Sequence, residues 1–245
     1  MNYGPDALFP FLTPTPVLGL PLVRLGTPGE GGYVVPDWPA LYTAGLLSYG
    51  VGGNPDFEND FFRRYGGTAV AFDPTVQRPD HMDGGIRFVP HGLGPADDGV
   101  YGRIDTHRGY LPPGGFLLKI DTEGAEWRSL AAVPDLDALE ASVLVVELHD
   151  LLRPSETKRQ VVQSLARWGH VVHIHGNNFN VFCGKPHPSP VMEVTYMSKA
   201  AAVRHGFVAP GVDSLPVAVS PYPLADLDRP NDPGLPDLVL DWWLP

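Results

Sequence analysis

Seven apolar runs of strand length punctuate this chain, and their alternation with helical patterns constrains the fold more than any other feature. The runs are Leu46–Tyr49, Thr68–Phe72, Ile86–Val89, Phe116–Ile120, Val143–Leu148, His170–Ile174 and Met192–Tyr196. They are close to continuously apolar, the pattern of strands covered on both faces of a parallel sheet. Helix signals follow several of them. Asn54-Pro55-Asp56 offers a capping side chain, a proline for the first turn and an acid near the positive helix end. Phe57, Phe61 and Tyr65 then recur every four residues until Gly66 stops the helix. Thr122 is expected to cap a second helix carrying Trp127 and Leu130. Ser155 is expected to cap a third, with Val161, Val162, Leu165 and Trp168 inward and Gly169 as its stop. The alternation predicts an α/β fold, an open doubly wound sheet whose ligands bind beyond the carboxyl ends of its strands.

A chain of 245 residues supports one sizeable core, so a single domain over 1–245 is expected. It divides into an arm (1–45) with a short strand at Tyr33–Val35, a core (46–199) and a tail (200–245) in which Trp242 and Trp243 are expected to dock. Glycine and proline supply 28 residues each, about twice their ordinary share of ~12% together. Much of the glycine falls at strand ends and much of the proline in the two flanks. A net charge of −11 argues against gripping a phosphate backbone, so nucleic acid is not an expected partner. The lone Cys183 excludes an internal disulfide and a Cys-x-x-Cys zinc or redox site. The first cation is Arg24, no apolar run reaches ~18 residues, and the expected location is cytoplasmic, with no membrane partner.

Two acidic strand ends stand out. The first strand runs into Gly50-Val51-Gly52-Gly53, where small residues let backbone approach a ligand. The next ends in Asp73, twenty-three residues after Gly50, placed to accept the hydroxyl hydrogens of a ribose. Pro55 stands where dinucleotide-binding turns have their third glycine, which argues against a pyrophosphate and for a nucleoside ligand such as S-adenosylmethionine. The fourth strand ends in Asp121-Thr122-Glu123-Gly124-Ala125-Glu126, three carboxylates that repel unless a cation or donors sit among them. Glu126 reads as a plain helix-start acid, Glu123 equally as that or as a site residue, and Asp121 as a site residue.

The segment KIDTEGAEW (Lys119–Trp127) resembles the hallmark of FkbM-type methyltransferases, which use S-adenosylmethionine. GEGGYVVPD (Gly29–Asp37), SYGVGGNPDFE (Ser48–Glu58), AFDPT (Ala71–Thr75) and MEVTYMSK (Met192–Lys199) agree with it, so the resemblance spans about residues 22–199. It implies a Rossmann-like sheet of about seven strands, the class I methyltransferase fold, and methyl transfer, usually to oxygen, in small-molecule or sugar-containing products. Carried onto this chain, it would set Gly50, Val51 and Gly52 against the cofactor's amino-acid part and Asp73 on its ribose. His91, Gly92 and Leu93 would border the adenine, Asp121 would face the methionine amino group or the reaction centre, and Tyr33 would cover the methionine end.

Histidines mark the next strand ends. Residues two apart on a strand share a face, so Glu147 is expected to pair with His149, and His173 with His175. Asp121, His149 and His175 are expected to converge on one rim, as a general base with an orienting partner or around a divalent metal. His149 is the first choice for base, with Glu147 or Asp121 orienting it and His175 nearby; a metal is not the favoured reading. His173 reads as a satisfied core residue, and His81, His107, His187 and His205 as loop residues without a role. The expected reaction is methyl transfer from S-adenosylmethionine to a hydroxyl, amine or guanidine of a neutral or cationic small molecule. The rivals are a metal-dependent hydrolase, a non-enzymatic nucleoside-binding module and a nicotinamide oxidoreductase. Acceptor specificity is expected in the arm, the Ala96–Gly115 loop and the tail; oligomeric state is open.

Overall fold

The computed structural model describes residues 8–179, 190–212, 215–216 and 222–240. Cys183, His187, Trp242 and Trp243 lie outside the described residues, and with them the docking expected of the two tryptophans. The chain begins with an antiparallel hairpin, β1 (Leu22–Leu25) and β2 (Tyr33–Pro36), so the single strand expected in the arm has a partner. Then follow β3 (Gly45–Tyr49), α1 (Asp56–Tyr65), β4 (Thr68–Phe72) and β5 (Arg87–Val89). A short parallel pair, β6 (Gly92–Leu93) and β7 (Tyr101–Gly102), leads to α2 (Ile104–His107). The remainder is β8 (Phe116–Ile120), α3 (Glu126–Ala131), β9 (Ala141–Leu148), α4 (Glu156–Trp168), β10 (Gly169–Gly176), β11 (Met192–Ser198) and α5 (Lys199–Arg204).

The main sheet has seven strands in the order β10-β11-β9-β8-β3-β4-β5. From β3 the chain builds outward through β4 to β5, then returns to the other side of β3 with β8 and β9. That reversal leaves a crevice between β3 and β8 at their carboxyl ends. The arrangement is a mixed α/β sheet compatible with a Rossmann-like fold. It is not wholly parallel, because β11 enters between β9 and β10 and runs against both. A strand buried on both faces is apolar throughout and carries no sign of its direction, so the sequence pattern could not reveal the reversal.

Strand residues alternate between two cores. Leu47, Tyr49, Val70, Phe72, Leu118 and Ile120 pack with Trp127 and Leu130 of α3 and Val161 and Leu165 of α4. Their neighbours Leu46, Ala69, Ala71 and Leu117 face Phe57 and Phe61 of α1 and Ala201 and Ala202 of α5. Each fully buried phenylalanine or leucine contributes roughly 1.5–3 kcal/mol of apolar burial. Asn54 takes the Asp56 N–H at 3.1 Å, Ser155 takes the Lys158 N–H at 3.2 Å, and Gly66 closes α1 with a positive φ of 68°. Thr122 caps nothing: α3 begins later, at Glu126, and the Thr122 hydroxyl donates to the Glu126 carboxylate instead.

Candidate active site

A cavity of about 880 Å³ opens at the β3–β8 crevice. That volume suits a small-molecule site. Gly50, Val51, Gly52, Asp73, Gly92, Leu93 and Asp121 line it, as the sequence reading expected of cofactor residues. Gly50 is confined by the protein itself: its φ is 77°, and a Cβ would stand 1.5 Å from the Asp121 carbonyl oxygen. Gly52 and Gly53 differ, because nothing lies within 4 Å of where their Cβ atoms would be. There the backbone faces open cavity.

Asp73 is already engaged by its own turn. Its Oδ2 accepts the Gly52 N–H at 2.8 Å, and its Oδ1 accepts the Thr75 N–H at 2.7 Å and hydroxyl at 2.6 Å. Burial pushes its pKa up, but the Thr75 and Gly52 bonds outweigh that and hold it below the usual carboxylate value. Oδ2 keeps a lone pair for a ligand hydroxyl.

Two expected cofactor residues stand elsewhere. His91 does not line the cavity. Tyr33 is buried behind Asp121 rather than over the ligand space, edge-on to Phe57 at 5.5 Å. Its hydroxyl lies 2.9 Å from Asp121 Oδ2 and 3.0 Å from Glu147 Oε2. One hydroxyl hydrogen is shared between these two carboxyls, and Glu147 is the more deeply buried of them. Burial first, then Asp121, Glu193 and Glu30, push its pKa well above the usual carboxyl value. The Tyr33 hydroxyl donates to Asp121 or to Glu147, and the other Glu147 oxygen accepts Asn177 Nδ2 at 2.9 Å.

His149 follows β9 and is clamped from the start of α3. Glu126 Oε1 accepts the His149 backbone N–H at 2.9 Å and lies 3.2 Å from its Nδ1, while Trp127 Nε1 donates to the His149 carbonyl at 2.8 Å. Glu126 is therefore no ordinary helix-start acid; it is fully buried, with its second oxygen held by Gly124 N–H and the Thr122 hydroxyl. Nε2 of His149 faces Glu123 Oε2 at 3.5 Å and Glu147 Oε1 at 3.9 Å. Burial pulls the His149 pKa down, but Glu126, Glu147 and Asp121 outweigh it and hold it at about 9. A general base needs its lone pair free at the working pH. The carboxylates around His149 favour its protonated form over the free base.

His175 does not join this group. Its Nδ1 lies 3.2 Å from Glu193 and its Nε2 2.9 Å from Asp237 of the tail, so both ring nitrogens are taken. Burial lowers its pKa, and the Glu193 and Asp237 carboxylates reverse that, to about 10. His173, on the same face, pairs with Asp228 and is the satisfied core residue expected. His107 is no loop residue: it ends α2, buried, stacked on Phe72 at 4.3 Å, with Nδ1 3.1 Å from the Tyr49 hydroxyl.

Several site residues went unread in the sequence. Lys119 is buried at the cavity, donating to the Gly50 carbonyl at 2.9 Å and lying 3.9 Å from Asp121 Oδ2. Its position inside a strand-length apolar run was the available signal, since an unpaired lysine is almost never fully buried. Glu30 of the arm borders the cavity and accepts from Asn177 at 3.3 Å and from Asn231 of the tail at 3.1 Å. Comparison with known proteins finds no matching family model and no matching curated sequence.

Proposed function

We propose that this chain is an S-adenosylmethionine-dependent methyltransferase of the class I fold. Its acceptor is a hydroxyl, amine or guanidine of a neutral or cationic small molecule, such as a natural-product or sugar-containing intermediate. One observation carries the reading. The cavity lies across the carboxyl ends of β3, β4 and β8, with the open Gly52-Gly53 backbone, Asp73 and Asp121 on successive strand ends. This is where a doubly wound sheet receives a nucleoside, and Pro55 in place of a third glycine disfavours a dinucleotide.

Bound S-adenosylmethionine supplies an activated methyl group on a sulfonium. The chain's residues have the rest to do. The Gly52-Gly53 backbone and Asp73 would hold the nucleoside end. Asp121, steadied by Tyr33 and Lys119, is the carboxylate placed to orient an acceptor and take its proton. Alignment of the reacting atoms at about 3–3.5 Å can supply a large share of the rate gain such a site needs. Glu30, Asp73, Asp98, Asp121 and Glu123 line the cavity against Lys119 and Arg128, a balance that suits a neutral or cationic acceptor.

Thermal unfolding tests this reading. S-adenosylhomocysteine at 100-fold its Kd should raise the Tm by about 5–10 °C, and NAD should leave it unchanged. A shift with NAD alone would replace the reading with nicotinamide chemistry. Metal-dependent hydrolysis is a second reading, favoured by the closeness of Asp121, Glu123 and His149.

A further inference from the structure

We propose that Asp121, Glu123 and His149 form a binding site for a borderline divalent cation of the Mn²⁺ or Zn²⁺ type, between the ends of β8 and β9. One donor atom from each residue lies within 4.8 Å of the others, the one such group among the described residues. His149 Nε2 and Glu123 Oε2 are 3.5 Å apart. Two ligands held 2.1 Å from one tetrahedral ion would be separated by about 3.4 Å, so these two need almost no movement.

The second observation is the setting of the imidazole. A metal-bound histidine characteristically gives its other nitrogen to a carboxylate, which fixes the ring and aims the free nitrogen at the ion. Glu126 does this for His149 at 3.2 Å. Glu126 is itself buried and bonded to Gly124 N–H at 2.8 Å, and the same carboxylate anchors the His149 backbone. Glu126 and Trp127 thus reach across from the end of one strand to hold the residue that follows the next. Such a hold is more than a surface ion pair requires. With Nδ1 held, Nε2 faces Glu123 and Glu147, and Asp121 lies beside them.

The donor set selects the ion. Ca²⁺ takes six to eight oxygen ligands and Mg²⁺ keeps several waters, whereas one imidazole with two carboxylates suits Mn²⁺ or Zn²⁺. Three protein ligands leave a coordination position open, as in a catalytic rather than a structural site. Asp121 and Glu123 both line the cavity, so that position faces the space where a small molecule would sit. The site holds whether or not the cavity takes S-adenosylmethionine.

Mn²⁺ titrated into the metal-stripped full chain, with free ion followed by paramagnetic resonance, tests the proposal. Wild type should show one saturable site, displaced by Zn²⁺ and untouched by equal Ca²⁺. Glu123→Gln should weaken it at least 10-fold; Glu123 is 90% exposed, so this variant folds. Glu126→Gln should weaken it about 10–100-fold without removing a ligand. Asp80→Asn, an exposed carboxylate elsewhere, should change nothing. No saturation up to millimolar Mn²⁺ would overturn the proposal. So would Glu123→Gln binding as tightly as wild type, or Asp80→Asn weakening binding as much as Glu123→Gln. S-adenosylhomocysteine titrated into the same samples reports on the methyltransferase reading separately.

Discussion

Two histidines stand at the ends of β9 and β10, on either side of β11, each among carboxylates, and their ring nitrogens are committed differently. His149 is anchored through one nitrogen by Glu126, and its other nitrogen is turned toward Glu123 and Glu147 beside the cavity. His175 has both nitrogens spent, one on Glu193 of β11 and one on Asp237 of the tail. The first arrangement leaves one ring nitrogen on the cavity side, beyond hydrogen-bond length from Glu147. The second bolts a segment poor in regular structure to the end of β10. The contrast shows that proximity of histidine to acids says little; the count of ring nitrogens already bonded distinguishes a fastening from a group that could take a ligand.

The largest expected effect separates the two directly. His149→Ala should abolish saturable Mn²⁺ binding while affinity for S-adenosylhomocysteine stays nearly constant, as paramagnetic resonance and calorimetry would read. His175→Ala should act on stability instead. It strands the buried Glu193 and the half-buried Asp237, at a cost of about 3–5 kcal/mol in stability, with kcat of the folded fraction largely kept. Denaturant melts beside active-site titration check this, and a folded His175→Ala protein without turnover would erase the distinction.

Asp73→Ala should come next. It removes a charged hydrogen-bond acceptor from the glycine turn, and cofactor affinity should fall about 10–100-fold by calorimetric titration. Unchanged affinity would detach Asp73 from the ribose role. The smallest effect is a slope. The folded-state pKa of His175 is raised to about 10, against ~6.5 unfolded. Its contribution to stability is therefore complete below about pH 6.5 and is lost as pH rises through 10. Urea midpoints should drift down between pH 7 and 10 in wild type and stay flatter in His175→Gln.

The strands of the main sheet and the α1 and α4 termini were legible because each depends on its own neighbours: a run of apolar side chains, Asn54 before α1, Ser155 before α4. The glycine turn, Asp73 and Asp121 were legible for the same reason, since they stand at strand ends. What escaped was set by distant partners. Glu126 looked like a helix-start acid because its partner His149 is twenty-three residues away. Tyr33 was expected over the ligand and lies behind Asp121, because a hairpin residue's depth is decided by the sheet it packs on. His175 looked free until a proline-rich tail, which shows no periodicity, brought Asp237 to it. The antiparallel course of β11 was invisible, since an evenly apolar strand reads alike from either end.

Gly50 links the parts of this site. Its missing side chain lets the turn after β3 rest against the Asp121 carbonyl, and its own carbonyl receives Lys119. The turn after β3 and the acid that follows β8 are thus packed as one piece. Directed evolution for a bulkier ligand would have little success by widening the turn at this residue. Any side chain there would displace Asp121, with Tyr33 and Glu147 behind it. Room is cheaper in the loop that carries Tyr101, where a smaller side chain would widen the cavity wall away from Asp121.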